Sequence, residues 1–377
     1  MKKFKALIIK AVVIILVLAL FLVLVGLKNN PDIAEAITRG PARWYGFVVS
    51  KVTGLVPVIS FTELLFIGLF CIGVLLLVLI ILDLVRLRVI RALNKVFDIA
   101  IIALSVVMLY HFTCEAAYNR KKMPLPYYEN DVERTEYVDI YNYFVNDINY
   151  CVSQMEFKED GDVKPKMSLQ EIAKEVKKAY EIVTDDYFAS HNGAVKPMLS
   201  SFVYREFQIT GVTFAPFAEA NINTYNASGD IPFTVAHELA HTKGVMREDE
   251  ANLLALYVCL NSEHPFLRFS AYNRYFLRYM RTIGSSTYLT EEERAQLVTI
   301  DTAFMKYTSF ETKYCEQHDL LQHFADWINN LYIKSSGVQE GTTSYSGGTT
   351  YEYDPTQHKI TKFSEVQKLF LDNYYRA

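Results

Sequence analysis

Three long runs of apolar residues lie near the start of the chain, and each is long enough to cross a membrane. They cover about residues 7–27, 61–82 and 92–111. A transmembrane helix needs about 20 mostly apolar residues, and the third run reaches this length with Asp98 near its beginning. The pattern therefore predicts a membrane anchor of three helices over residues 1–111, in contact with the lipid bilayer.

The pattern changes after the third run. Residues 112–130 contain a Pro-Leu-Pro stretch that is typical of a stiff linker, and residues 131–377 show mainly helical spacing of apolar positions. The stretch from Val203 to Tyr225 is rich in aromatic and β-branched residues and predicts one or two short strands, as a hairpin or an edge strand. The expected fold is α+β and mostly α, with three transmembrane helices followed by a domain that contains a small sheet.

Composition excludes several classes of protein. The chain has 377 residues and a formal net charge of −4, and it has no basic stripe. Nucleic-acid binding requires such a stripe, so no nucleic-acid partner is expected. The five cysteines are scattered without a CxxC pair, which argues against a disulfide framework and against a zinc site built from thiolates.

Positive charges near the apolar runs give an indication of topology. Lysines precede the first run, and the short loop between the second and third runs contains Arg86, Arg88, Arg91 and Lys95. The first loop and the residues after the third run are also positive, so the density of charge in the short loop decides. Because positive loops favour the cytoplasmic side, we expect the N-terminus inside a bacterial cytoplasmic membrane and the domain outside it.

His237, Glu238 and His241 form an HExxH pattern within an apolar stretch. Pro232 predicts the beginning of a helix there, and Gly244 predicts its end. Histidines four positions apart share one face of a helix and can bind the same metal ion. Zinc lowers the pKa of a bound water to about 7, so that Glu238 can act as general base and produce a zinc hydroxide. The motif therefore predicts one catalytic Zn²⁺ per chain.

A catalytic zinc ion commonly has three protein ligands and an open fourth position. Glu248 is the first candidate for the third ligand, because small residues follow it at helical spacing. Glu250 is the second candidate, and Asp249, which has a shorter reach, is the third. The alternative is a solvated acidic helix terminus, which the helix dipole favours. Arg247 stands where the metzincin pattern HExxHxxGxxH has its third histidine, and this argues against that class.

Other polar residues are candidates for substrate binding. Glu219, Asn221 and Asn223 alternate upstream of the motif and could line a cleft in which an extended peptide pairs with a strand. A solvated face and an ordinary core sheet are the alternatives. A donor to the tetrahedral oxyanion is also expected, and the sequence leaves it open among Tyr272, Arg274, Tyr275, His264, His318 and His323.

The stretches 234–241 and 248–252 together resemble gluzincin-type peptidases. In those enzymes the third ligand is the Glu of an ExxA[DN] stretch, and Glu248 matches it, although the linker from His241 is shorter than in thermolysin-like enzymes. Over nearly its full length the chain resembles a bacterial family of membrane proteins of unassigned function, with three N-terminal spans and an HExxH domain. The further matches are Val56-Pro57, Pro216-Phe217, Glu219-Ala220-Asn221 and Ser344-Tyr345. The resemblance implies a zincin-like domain with Glu248 as a ligand, and it implies no substrate.

The sequence thus predicts a membrane-anchored zinc metallopeptidase that cleaves a protein or peptide outside the membrane. The alternatives are a non-catalytic membrane sensor or scaffold with a zinc site, and a zinc amidase that acts on cell-wall material. The presence of Glu238 favours an enzyme, because a purely structural site needs no base. Intramembrane proteolysis is not expected, because His237 and His241 lie far along the sequence from every apolar run.

Overall fold

The computed structural model describes residues 2–183, 192–285, 287–318 and 350–377, and seven single positions between 321 and 334. Helices dominate these residues, and the strands are few and short. The expectation of a mostly helical chain with a small sheet is confirmed. Ser344 and Tyr345, which contributed to the sequence resemblance, lie outside the described residues.

Three helices in the N-terminal part are long and apolar enough to cross a membrane. They are α1 (Lys2–Lys28), α4 (Phe61–Val85) and α5 (Val89–Tyr110). A π-helical turn, His111–Glu115, and the short helix α6, Ala116–Tyr118, extend α5. α1 packs along α5, where Lys10 Nζ lies 2.7 Å from Asp98 Oδ1. The prediction of three long apolar helices in this part of the chain is confirmed.

Two further helices, α2 (Pro31–Ile37) and α3 (Arg43–Thr53), connect the first two membrane helices. α3 has an unusual arrangement, because its small and polar face is buried and its apolar face is exposed. The buried residues are Gly46, Ser50 and Thr53. The exposed apolar residues recur at helical spacing and continue past the helix end: Trp44, Phe47, Val48, Val52 and Leu55.

The remaining helices lie in the C-terminal part, where most of them pack around one large hydrophobic core. They are α7 (Tyr137–Ser153), α8 (Leu169–Val183), α9 (Ser201–Glu206), α10 (Ile231–Thr242), α11 (Glu248–Leu260), α12 (Pro265–Tyr275), α13 (Glu291–Arg294), α14 (Thr302–Gln317) and α15 (Glu365–Arg376). α10 lies in the middle, packed against α11, α12, α8 and the sheet. Polar side chains on so deeply buried a helix need partners, because burial without them is unfavourable.

The sheet beside α10 has three short strands. β1 is Ala194–Pro197, β2 is Gly211–Phe214 and β3 is Glu219–Ile222, and their order in the sheet is β1-β3-β2. β1 runs parallel to β3, and β2 runs antiparallel to it. The stretch from 203 to 225 therefore contains the expected hairpin, with β2 at the edge and β3 in the centre. β4 (Glu352–Asp354) and β5 (Lys359–Lys362) form a separate hairpin.

Buried hydrogen bonds and an ion pair connect the sheet to the membrane helix α4. Glu219 on β3 accepts hydrogen bonds from the Thr62 backbone amide, at 3.0 Å, and from the Thr62 hydroxyl, at 2.9 Å, in the first turn of α4. Lys196 on β1 forms a fully buried ion pair with Glu219 and donates to the Ile59 carbonyl at 2.8 Å. Glu63 in turn accepts from the Ser200 amide at 3.1 Å. The sheet is therefore fixed to the membrane anchor.

The segment 112–130, expected as a linker, also packs against the rest of the chain. It is helical as far as Tyr118, and the side chains of Arg120 and Met123 are buried. Arg120 Nη2 lies 2.8 Å from Glu250 Oε2, and Arg120 Nε donates to the Gly244 carbonyl at 3.0 Å. The exit from the membrane is thus bonded directly to the region where α10 ends and α11 begins.

Candidate metal centre

Two histidines and one glutamate converge at the end of α10 and the beginning of α11. His237 and His241 lie one turn apart on the same face of α10, and Glu248 is the first residue of α11. These three residues are the one group of three or more His, Cys, Asp or Glu side chains in the described part of the chain that could hold a metal ion. The structure therefore brings together the three ligands expected from the sequence.

A tight turn places Glu248 opposite the two imidazoles. Gly244 follows α10 with a φ of +83°, a conformation that favours glycine. Its amide donates to the His241 carbonyl at 3.0 Å, and the Val245 amide donates to the Ala240 carbonyl at 3.1 Å. This pair of bonds is a Schellman cap, which closes the helix and reverses the chain.

The separations between the ligand atoms suit a tetrahedral metal ion. His237 Nε2 lies 3.1 Å from His241 Nε2 and 3.2 Å from Glu248 Oε2, and His241 Nε2 lies 3.6 Å from Glu248 Oε1. Zinc binds nitrogen and oxygen ligands at about 2.0–2.2 Å, so tetrahedral angles separate two ligand atoms by about 3.3–3.6 Å. The two Nε2 atoms and one oxygen of the Glu248 carboxylate can therefore bind one zinc ion after small movements.

A hydrogen bond outside the cluster orients one of the rings. His241 Nδ1 lies 2.7 Å from the Val245 carbonyl oxygen. A carbonyl can only accept, so Nδ1 donates its proton to it and Nε2 faces the cluster. Metal-binding histidines generally have such a partner, which fixes both the ring and its tautomer.

The cluster is more exposed on one side than on the other. The side chain of His241 is 9% exposed, whereas those of His237 and Glu248 are each 15% exposed. His237 and Glu248 therefore form its more accessible side. A catalytic metal site needs an accessible side, because its fourth position must be available to water or substrate.

Charges within the cluster favour binding of a cation. Burial by itself lowers the pKa of His241, but the neighbouring Glu248 carboxylate outweighs it and raises that pKa to about 9. Burial opposes ionisation of Glu248 as well, yet the two imidazoles hold its pKa well below its ordinary value. The carboxylate is thus ionised, and a metal ion that binds here displaces a proton from His241.

Glu238 faces the sheet and is 4% exposed. Burial raises its pKa, and the imidazoles of His237 and His241 offset only part of that effect. The Thr213 hydroxyl on β2 lies 2.8 Å from Glu238 Oε2 and 2.9 Å from the Glu238 carbonyl oxygen. A carboxylate that is buried, has a raised pKa and is held by one hydroxyl is well suited to accept and release a proton.

Gly211 gives the Glu238 carboxylate the space it occupies. A Cβ atom on Gly211 would lie 2.6 Å from Glu238 Oε1 and 2.6 Å from its Cγ, closer than any ordinary contact. The carboxylate therefore packs directly against the backbone of β2. Sequence analysis found neither Gly211 nor Thr213, because both contacts depend on strand β2 packing against a helix that follows about 20 residues later.

The two other acidic candidates at the beginning of α11 have different partners. Glu250 is buried and pairs with Arg120 at 2.8 Å, and Asp249 pairs with Arg247 at 3.1 Å. Of the three acidic residues considered as the third ligand, the structure brings Glu248 to the histidine pair. Arg120 was not found by sequence analysis, since nothing near it in the sequence indicates its contact with Glu250.

The three residues expected to line a cleft are all buried in the sheet. Glu219 is bonded to Lys196 and to the beginning of α4, as described above. Asn221 Nδ2 donates to the Val212 carbonyl at 3.1 Å, and Asn223 Nδ2 donates to the Ile209 carbonyl at 2.9 Å. These contacts pair Glu219 and the amide nitrogens of Asn221 and Asn223 within the fold, whereas Asn221 Oδ1 is buried without a hydrogen-bond partner.

Among the candidates for an oxyanion donor, two pack against the HExxH helix. Arg274 and Tyr275 both contact the ring of Phe233, which lies one turn before His237 on α10. Three of the others have partners elsewhere: the Tyr272 hydroxyl donates to Asp147, His264 caps α12, and His318 pairs with Glu206. His323 is exposed.

The three long apolar helices fit a membrane protein, and the His-His-Glu cluster is a candidate metal centre. The chain belongs to the family described as "Protein of unknown function (DUF3810)", whose model matches residues 40–351. That range includes the second and third membrane helices, the sheet and the whole cluster. No curated protein and no solved structure matches the chain.

Proposed function

We propose that this protein is a membrane-anchored zinc-dependent peptidase, with His237, His241 and Glu248 as metal ligands and Glu238 as general base. The observation that carries the proposal is the set of ligand-atom separations, 3.1, 3.2 and 3.6 Å, with the Glu238 carboxylate buried beside them. A structural zinc site has four protein ligands, no open coordination position and no need of a base. Three ligands, a more accessible side and an adjacent glutamate favour catalysis.

A bound zinc ion would supply Lewis-acid activation of water and of the scissile carbonyl. Glu238 takes a proton from the water as the water oxygen adds to the carbonyl carbon. It then transfers that proton to the amine nitrogen as the carbon–nitrogen bond breaks, which leaves a carboxylic acid and an amine. The Thr213 hydroxyl, 2.8 Å from Oε2, holds the carboxylate in position during both transfers.

The outer edge of β2, where the described part of the chain places no further strand, offers a place for the substrate backbone. The Asn223 amide donates to the Thr210 carbonyl at 2.9 Å, so these two residues form a hydrogen-bonded pair. Hydrogen-bonded and non-hydrogen-bonded pairs then alternate along β2 and β3. In an antiparallel pair this alternation directs the amides and carbonyls of Gly211 and Thr213 away from β3. An extended peptide can therefore pair with β2 beside Glu238, as edge strands commonly bind peptides.

The topology proposed from the sequence is supported by the arrangement of the helices. Lys28 at the end of α1 pairs with Glu115 after α5, and Glu219 caps the beginning of α4, so the domain lies at this end of the three helices. The positive turn between α4 and α5 is at the opposite end. Positive-inside orientation places that turn in the cytoplasm and the catalytic domain outside it.

Metal content tests the proposal directly. The full-length chain, purified in detergent without chelators, should contain about one zinc ion per molecule, as expected for a single catalytic site. His237→Ala combined with His241→Ala should remove it, whereas His323→Ala, at an exposed histidine, should leave it in place. Elemental analysis that finds no zinc in the wild-type protein would contradict the proposal.

Gly211→Ala should lower hydrolysis without removing the metal. The added methyl group would lie 2.6 Å from Glu238 Oε1 and must displace that carboxylate, while the ligands are not touched. Gly73→Ala in α4 is the matched control, because a Cβ atom there meets nothing within 4 Å. Activity and zinc content are measured on both variants. Equal activity of the two variants would show that hydrolysis does not depend on the position of the Glu238 carboxylate.

A further inference from the structure

We infer that the substrate is the membrane-proximal segment of a polypeptide that is itself anchored in the bilayer. This inference rests on the peptidase function proposed above and adds the class of substrate. Four independent features of the structure carry it: the path of β2, the packing of the ligand loop, an exposed apolar surface, and the rigid attachment of the sheet to α4.

Two consecutive residues of β2 contact the proposed general base and the membrane helix α4. Thr213 contacts Glu238, and the next residue, Phe214, packs its ring 5.3 Å from the ring of Phe66. Phe66 lies in the second turn of α4, about 7.5 Å along that helix from its first residue at a rise of about 1.5 Å per residue. A substrate strand paired with β2 therefore reaches the level of the bilayer almost immediately.

The loop between the ligands touches the end of the third membrane helix. Met246 lies between His241 and Glu248 in the sequence, and its Sδ is 3.5 Å from Cys114 Sγ in the turn that extends α5. Tyr118 completes this small buried cluster. The metal centre is thus held between the ends of α4 and α5, at the membrane surface and outside the apolar runs.

An exposed apolar surface surrounds this end of the membrane helices. It consists of the outer face of α3, defined above, and of Leu199, Phe202 and Val203 around the beginning of α9. The amides that begin α9 bond to Glu63 in the first turn of α4, so α9 lies at the height where that helix enters the membrane. Because this surface continues directly from the membrane helices, lipid is its occupant.

The attachment of the sheet to α4 fixes the height of the centre. The Lys196–Glu219 pair is fully buried and bonds β1 and β3 to residues 59–62. A buried, hydrogen-bonded pair of this kind is costly to separate. The proposed active centre therefore stays at this height, where a peptide that emerges from the bilayer passes alongside β2.

The test uses full-length protein with zinc in vesicles of phosphatidylcholine and phosphatidylglycerol. The probe is a mixed-sequence peptide library coupled to a phospholipid headgroup through Gly/Ser spacers of about 2 or about 20 residues, at equal surface density. Because effective concentration falls with roughly the 3/2 power of linker length, we expect short-spacer peptides to be cleaved about 10–30-fold faster. Mass spectrometry should place the cuts next to the anchor, and vesicles with Glu238→Gln serve as the blank.

The outcomes separate this inference from the peptidase function. Equal cleavage rates for both spacers and for free peptides would overturn the membrane-proximal substrate and retain the peptidase. Absence of cleavage of every peptide by zinc-loaded wild-type protein would overturn both. Faster cleavage with short spacers supports both.

A second measurement tests the height of the centre without using activity. The chain has two tryptophans, so Trp327→Phe leaves Trp44 on the exposed face of α3 as the sole reporter. We expect lipids brominated near the headgroup to quench Trp44 fluorescence more than lipids brominated near the chain end, as for a helix at the interface. Trp44 that no brominated lipid quenches would overturn the inference.

Discussion

Replacing Glu238 with glutamine is expected to lower hydrolysis by about 10²–10⁴-fold, the usual cost of losing a general base. The amide keeps the size of the side chain, and its oxygen can still accept the Thr213 hydrogen bond, but it cannot take a proton from water. Zinc content should not change, because Glu238 is not one of the three ligands. Cleavage of the tethered peptides and elemental analysis of the same preparation measure both quantities.

Glu352→Gln, at an exposed position of the β4–β5 hairpin, is the matched control and should have wild-type activity. The comparison can also be made in cells, on the extracellular proteome and on wall fragments, which can reveal the substrate. If Glu238→Gln rescues a deletion phenotype as well as the wild type does, the sensor or scaffold hypothesis replaces the peptidase.

The second large effect concerns the third ligand. Glu248→Gln should weaken zinc retention by at least about 100-fold, since loss of even an outer-shell partner commonly costs about 10–100-fold. Glu250→Gln is the matched control two residues away. Its side chain bonds to Arg120 rather than to the histidines, so zinc affinity should change far less.

Competition with a zinc-binding dye, on both variants at one pH, gives the two affinities. A larger loss in Glu250→Gln would reassign the ligand. Glu250→Gln should instead lower thermal stability, because it weakens a buried ion pair that joins the membrane exit to α11. Each variant therefore has its own expected signature.

The parts of the fold that local pattern determines could be predicted from the sequence. The membrane helices follow from apolar runs, and helix α10 follows from Pro232 at its beginning and Gly244 after its end. The convergence of His237, His241 and Glu248 could also be anticipated, because the first two share a helix face and the third follows after one turn. In all these cases the relevant residues are close in the sequence.

The contacts that surround the cluster could not be predicted in this way. Thr213 reaches Glu238 only because β2 pairs with β3 and the sheet then packs on α10, and such register is not visible in either segment alone. Arg120 and Glu250 are 130 positions apart. The face of α3 is different, since the spacing of Trp44, Phe47 and Val48 is a helical signal that sequence analysis overlooked.

The hydrogen bonds from Thr62 to Glu219 make α4 part of the same rigid unit as the sheet. With 25 residues, α4 is about 37 Å long, which exceeds the roughly 30 Å thickness of a typical hydrocarbon layer. A helix that is too long for its bilayer tilts, and the tilt depends on lipid chain length. A change in the tilt of α4 would therefore move the sheet with it, and the Thr213–Glu238 hydrogen bond is one of the contacts between the sheet and α10. Acyl-chain length would then act on the position of the proposed general base.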